Sequence, residues 1–427
     1  MGEQNAFASS EHPRKGHPAK QTEATVTPDF SDGLPPPPKF PLAGPLPPEM
    51  QLPTHYPSIQ QIIIGPAANE HGPIDTAITR GDKSVNGEWF RVSTTADNDA
   101  LVAAKKAGSN VNIIEDLKNM QSPFSKQQLQ ILTNGKVPWE YSSAGFNISH
   151  SKAATIDSTK DGQRTIIGSM NLTNENARDI EFITNDSGIY KSVNDVINAD
   201  VINAKNGTTN TPTGLDPALV VSPVNAEDKL SGLIYSVDPD PKKGWVVCDS
   251  ENWGDPVIQQ ALLDVAAHGI PVKVLGPEED ENPNPSFNYP YLKAMQTGGV
   301  QAKWMPNPAP GENPDSPTHP YEHLKTIVVM TPDGPVGYLG SVNFSFQSAH
   351  QIAGLNKANV DTSKVKPNRE MGLLFNDPAA INAVMNVFNT DFANAADLPA
   401  TAPPTKTAPA TTETREDAEA IKKANKH

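Results

Sequence analysis

The chain has one cysteine, Cys248, in 427 residues. No internal disulfide can brace it, so the fold must rest on packing and hydrogen bonds. It has no unbroken apolar run of about 18 residues, the length a membrane-spanning helix needs. The first twenty residues lack the apolar core of a secretory signal, and Ala6 stands where a myristoylation signal needs Ser or Thr. Positive charge is scarce: 34 Lys and Arg face 49 Asp and Glu, for a formal charge of −15. Such a field repels polynucleotides unless a basic track overrides it, and basic residues cluster only at Lys15–Lys20 and Lys422–Lys426. Zinc and calcium spacings are missing too, since His12, His17, His55 and His71 fall outside any ligand pattern. These absences lead us to expect no metal, no cofactor and no nucleic-acid partner. They also suggest a cytoplasmic protein, or one exported by a route without a cleaved N-terminal signal. The Asn-x-Ser/Thr sequons in or beside the motifs described below, at Asn147, Asn171 and Asn343, fit that expectation, because glycans there would obstruct those motifs.

Proline is plentiful, at 42 residues, about twice the ordinary share. Much of it lies in residues 1–55, where Pro35–Pro38 and Pro47–Pro48 predict a disordered or polyproline leader. Residues 398–427 read as a flexible tail, and 206–217, rich in Gly, Thr, Asn and Pro, as a linker. Between them the chain repeats itself. Leu101–Gly108 followed by Val111–Ile114 matches Leu262–Gly269 followed by Val272–Leu275, each an amphipathic helix, a glycine stop and an apolar strand. Further on, Asn185-Asp186 and Asn376-Asp377 each precede a helical pattern, and Asp200 and Asp391 fall at the same offset within the two helices. The expected architecture is α/β: two α/β/α sandwich halves, 56–205 and 218–397, related by a pseudo-twofold axis. Cys248, flanked by Val246 and Val247, reads as a buried strand residue rather than a nucleophile.

Each half carries one reactive cassette. His150-Ser151-Lys152 with Asp157 precedes Gly168-Ser169-Met170-Asn171, and His323-Leu324-Lys325 precedes Gly340-Ser341-Val342-Asn343. If His150–Asp157 is one strand, alternation puts His150 and Lys152 on one face and Asp157 on the other. The same rule pairs His323 with Lys325, Ser169 with Asn171 and Ser341 with Asn343. Each half would then offer a phosphate one imidazole, one ammonium, one hydroxyl and one amide. Lysines offset the charge of a pentacoordinate transition state, and two imidazoles can divide nucleophile and general acid between them. Glu181 and Glu370, at comparable places after the two asparagines, are the expected carboxylates that set the protonation of the pair.

These motifs resemble the phospholipase D superfamily, whose signature is His-x-Lys, four residues, Asp, then Gly-Ser-x-Asn. The resemblance covers nearly all of the chain between its tails. It implies a two-sandwich fold with one site at the interface, a phosphohistidine intermediate and no metal in the chemistry. By similarity, His150 would be the nucleophile and His323 the general acid, with Lys152 and Lys325 beside them. The second cassette departs from the pattern where Met330 replaces the Asp. Strand parity turns that position away from the phosphate, so the expected loss is one of support rather than of chemistry.

The resemblance implies a phosphodiesterase acting on a phospholipid at a membrane or micelle surface, with a monomer sufficient because both cassettes lie in one chain. Acidity disfavours the superfamily's nuclease activity. That nuclease activity stays an alternative all the same, beside the superfamily's synthase and transphosphatidylase activity and, outside enzymes, an inactive scaffold that keeps the fold. The stretch from Pro277 to Pro320, with Glu278–Glu281, Phe287, Tyr289 and Tyr291, could form an acidic and aromatic rim for a cationic headgroup.

Overall fold

The computed structural model describes residues 52–67, 69–173, 176–278, 288–306, 320–349 and 366–401. The expectations for residues 1–51 and 402–427 lie outside them, as do those for Glu279–Glu281 and Phe287.

The first half runs β1 (Ile59–Ile64), α1 (Gly72–Arg80), β2 (Ser84–Trp89), α2 (Thr95–Lys106), β3 (Asn110–Glu115), α3 (Pro123–Asn134) and β4 (Trp139–Tyr141). It continues with the hairpin β5 (Lys152–Ser158) and β6 (Gly162–Gly168), then β7 (Ala177–Arg178), β8 (Ile180–Thr184) and α4 (Ser187–Asn206). The second half opens with β9 (Leu219–Ser222), α5 (Ala226–Tyr235), β10 (Val246–Ser250), α6 (Pro256–Ala267), β11 (Val272–Pro277), α7 (Tyr289–Thr297) and β12 (Gln301–Met305). It ends with β13 (Tyr321–Glu322), the hairpin β14 (Lys325–Thr331) and β15 (Gly334–Gly340), α8 (Phe346–Ala349), β16 (Glu370–Phe375), α9 (Pro378–Asn394) and β17 (Ala396–Asp397).

The two large sheets share one topology. The first is ordered β4-β3-β2-β5-β6-β8-β1 and the second β12-β11-β10-β14-β15-β16-β9, with β17 added beyond β12. Parallel pairing of β2 with β3 and β10 with β11 follows from the helix between each pair, which supplies the crossover. The helix starts are written in the sequence. Asp186 and Asp377 each accept two backbone N–H groups at the heads of α4 and α9, and Thr94 and Asp255 cap α2 and α6. Helix α4 stops at Gly207, whose φ of +66° is a left-handed conformation that glycine adopts without strain.

The helices after β8 and β16 pack inward. Ile189, Val193, Val196 and Ile197 of α4 share a core with Leu219, Val220 and Val221 of β9. Val384 and Phe388 of α9 share another with Ile180 and Phe182 of β8. Each helix thus buries apolar surface against the opposite half, on the order of 1.5–3 kcal/mol for each large side chain. Cys248 is buried in β10, where burial pushes its thiol well above the usual range. Among the described residues no helix is long and apolar enough to cross a membrane.

Candidate active site

The two cassettes meet through short ladders that join the halves. Asn147 N donates to Pro367 O (2.7 Å), Arg369 N to Ile148 O (3.0 Å) and His150 N to Arg369 O (2.8 Å). On the other side, β13 pairs in parallel with β7, matching Tyr321 with Ala177 and Glu322 with Arg178. This corrects the expectation of one strand from His150 to Asp157. Strand β5 starts at Lys152, because the backbone of His150 is bonded across to the other half instead of within its own sheet. The lysines still turn back to their histidines: Lys152 Nζ donates to His150 O (2.9 Å) and Lys325 Nζ to His323 O (2.5 Å).

The two imidazoles are 6.3 Å apart between ring centroids, at 76°. His150 Nδ1 lies 3.1 Å from Glu370 Oε2 and 3.2 Å from Ser341 O. His323 Nδ1 lies 2.8 Å from Asp179 Oδ1. Each histidine is therefore held by an acid of the opposite half, with acceptors facing Nδ1. That placement puts the hydrogen on Nδ1 and leaves Nε2 for chemistry.

The partner of His323 is not the expected residue. Ser169 N donates to Ile180 O and Ser341 N to Met371 O, so the register equates Asp179 with Glu370 and leaves Gly372 opposite Glu181. Glu181 instead accepts the N–H of Met170 (3.2 Å), and burial pushes its carboxyl well above the usual range. One sequence signal could have found Asp179: an Arg-acid pair, Arg178-Asp179 and Arg369-Glu370, follows each Gly-Ser-x-Asn.

The serines differ from expectation as well. Ser169 Oγ donates to Asp179 Oδ1 (2.6 Å), and Ser341 Oγ donates to Met371 O (3.1 Å). A hydroxyl has one hydrogen to give, so both serines brace the acid-bearing strands rather than offer a donor to phosphate. Asn343 does face the site, with Nδ2 donating to Glu251 Oε2 (3.2 Å) and Oδ1 accepting the N–H of Asn252 (3.1 Å). Asn171 is buried in the first half.

Asp157 is not brought to the site. It sits partly exposed near the far end of β5, in an ion pair with Lys83 (3.0 Å). Met330 takes the matching place in β14, where its backbone bonds to Trp245 O and Asp238 N. The loss of this acid from the second cassette therefore falls away from the histidines. Tyr289 is no rim residue either: it is buried at the head of α7, with its hydroxyl donating to Pro399 O (3.1 Å).

Sequence reasoning missed Glu251. Its Oε2 lies 2.7 Å from Lys325 Nζ and 3.6 Å from His323 Nε2, and its Oε1 accepts from the Tyr321 hydroxyl (2.7 Å). Burial works to raise its carboxyl, but Lys325, His323 and His150 outweigh burial and hold it well below the usual range. Ligand-type atoms of His150, Glu251 and His323 lie within 4.8 Å of one another. A metal could span that distance, but the Lys325 ammonium already supplies the cation beside Glu251. Burial, reinforced by Lys152 and Lys325, pushes His150 well below its ordinary value. Burial and Lys325 bring Lys152 down to about 7, and burial lifts Glu370 to about 7.

Behind the histidines lie two matching ion pairs, each crossing the halves, that of Arg369 fully buried and that of Arg178 partly so. Arg369 Nε and Nη2 reach the carboxylate of Asp200 at 2.8 and 3.1 Å. Arg178 Nε and Nη2 reach that of Asp391 at 2.8 and 3.0 Å. The Asp200/Asp391 repeat seen in the sequence thus anchors the residues next to Glu370 and Asp179.

Two imidazoles with acid-held Nδ1 atoms, flanked by two lysines on a duplicated α/β frame, form the arrangement that the resemblance to the phospholipase D superfamily implies. Residues 74–201 match the family model described as cardiolipin synthase, PLD-like domain. That match covers less than a third of the chain, and within it the first half carries a PLD-like domain. No curated sequence gives a significant match. Among solved structures, polyphosphate kinase from Porphyromonas gingivalis shares the fold with a TM-score of 0.57 at 12% identity, over 86% of this chain and 52% of that one. The chain therefore spans about half the length of that kinase. Nuc of Salmonella typhimurium, a phospholipase D family member, is 22% identical with a TM-score of 0.32, over 34% of this chain and 95% of that one. Yeast tyrosyl-DNA phosphodiesterase is 12% identical with a TM-score of 0.42, over 69% and 82% respectively.

Proposed function

We propose that the protein is a phospholipase D-type phosphodiesterase that cleaves the distal phosphodiester of a phospholipid to phosphatidate and a free headgroup. The observation that carries this reading is the facing histidine pair, each ring held by a carboxylate of the other half. His150, pushed toward its neutral form, attacks phosphorus through Nε2 while Glu370 accepts from Nδ1 and supports the charge that develops on the ring. The bond from phosphorus to the headgroup oxygen breaks, and His323 delivers the proton that this oxygen takes up. His323 then removes a proton from water, the resulting hydroxide attacks phosphorus, and phosphatidate leaves as His150 is restored. Lys152 and Lys325 offset the charge on the equatorial oxygens. An alcohol in place of water gives transphosphatidylation. The family description, cardiolipin synthase, favours this transfer as the second reading.

The test is incubation with labelled phosphatidylcholine, with and without ethanol, beside a panel of DNA and RNA. Choline release with phosphatidylethanol formed in ethanol is the expected result. Cleavage of nucleic acid without lipid turnover would replace the reading with a nuclease, and lipid exchange without net hydrolysis would favour the synthase.

The proposed chemistry also predicts a pH profile. Lys152 loses its cation as pH rises through about 7, while Glu370 gains its charge across the same range. The two changes oppose each other, so kcat/KM should form a narrow bell with its maximum near pH 7. Glu370→Gln should carry the acid limb to lower pH. A flat profile from about pH 6 to about pH 9 would contradict both assignments.

A further inference from the structure

The two halves place unlike side chains at one matching position. Trp89 pairs with Lys152 across β2 and β5, and Ser250 with Lys325 across β10 and β14, so the next residues, Phe90 and Glu251, correspond. Phe90 sets its ring edge-to-face with His150 at 4.7 Å, and Lys152 Nζ lies 4.8 Å from its centre. Glu251 instead puts a carboxylate against Lys325, Asn343 and His323 Nε2, at 2.7, 3.2 and 3.6 Å. These three are the groups that the phosphodiesterase reading assigns to the phosphate on the His323 side. The carboxylate is buried, and no other acidic oxygen lies so near Lys325 among the described ion pairs.

We propose that Glu251 is a resident stand-in for phosphate, a carboxylate that holds the Lys325–Asn343–His323 seat between turnovers and must be displaced by the substrate's phosphoryl oxygens. The Tyr321 hydroxyl, bonded to the other carboxylate oxygen, gives the displaced side chain a partner to keep. Free inorganic phosphate brings no binding energy beyond its oxygens and competes poorly with a tethered carboxylate. A phosphodiester carried on a larger substrate brings further contacts and wins the seat. The monoester product, with a second negative charge, is repelled by the same carboxylate, which favours its release. Phe90 offers no such competitor, so the His150 side is open to phosphorus while the His323 side is guarded.

This inference rests on the phosphodiesterase reading for the position of phosphate, but its test needs no turnover. Titration calorimetry of the full chain with inorganic phosphate compares wild type with Glu251→Gln, with thermal melting as the check on folding. The variant is expected to bind phosphate about tenfold tighter or more, because a buried charge opposing the anion has been removed. Glu251→Asp keeps the charge and should stay within about threefold of wild type. Should Glu251→Gln fail to fold, Glu251→Met removes the charge at similar volume and carries the same expectation. Equal or weaker binding by the neutral variant, an equal gain in Glu251→Asp, or no phosphate binding by any form overturns the proposal. Failure of lipid turnover alone would instead strike the phospholipid reading and leave this comparison standing.

Discussion

Replacing His150 or His323 with alanine is expected to lower kcat by about four orders of magnitude or more. In the proposed cycle the two rings act on one phosphorus in sequence, so each loss disables the whole cycle. The double variant should therefore be scarcely worse than either single one, as in other sites whose members act as a unit. The expected effect does not come from unfolding, because each change removes one ring and leaves both cross-half ladders in place. An activated diester such as bis-p-nitrophenyl phosphate separates the roles, since its leaving group needs little help from an acid. His323→Ala should keep more activity on that substrate than His150→Ala, and should accumulate a phosphorylated protein on rapid quenching. Retention of more than about a hundredth of kcat by His150→Ala would remove it as nucleophile. A phosphate adduct on His323 in the wild type would exchange the two assignments.

The largest expected effect on stability is at Arg369. Its guanidinium is fully buried, forks onto Asp200, donates to Ser222 O (2.9 Å) and Thr211 Oγ1 (2.8 Å), and lies over Phe146. Glu88 stands beside the same pair, with its carboxyl pushed well above the usual range by burial and by Asp200. Arg369→Ala leaves the Asp200 carboxylate buried without a cation, which costs about 3–5 kcal/mol. Urea unfolding followed by circular dichroism measures it, and a loss below about 1 kcal/mol would contradict the argument. Adding Asp200→Leu to Arg369→Ala should recover part of the loss, because the orphaned charge is then gone as well. Arg178→Ala is expected to cost less, since that side chain is 16% exposed and water can reach it.

The duplication and the cassettes were legible in the sequence because they depend on local spacing. The caps Asp186 and Asp377 were legible for the same reason, each acting on N–H groups two and three residues ahead. What the sequence hid is what crosses the halves. Asp200 and Asp391 were visible as a repeated pair, but not as the anchors of arginines in the opposite half. Asp179 and Glu181 lie two residues apart, and only strand register distinguishes them. Ser169 and Ser341 have the residue type and spacing of phosphate donors, but only the fold shows their hydroxyls bonded to Asp179 and to Met371 O. Glu251 belongs to neither cassette. Its place beside Lys325 follows from the pairing of β10 with β14, which joins residues 75 positions apart.

The two ladders also govern when the protein becomes reactive during its own folding. His150 waits for an acid 220 residues further along the chain, and His323 looks back 144 residues to Asp179. The first sheet can close on the ribosome before the second half is made, but its histidine then lacks both partner and pocket. Contacts of such long sequence separation form late, after the local hairpins and helices. On the proposed reading, a chain whose halves have not yet docked therefore carries both histidines without being able to use either, and activity would appear only with the last docking step.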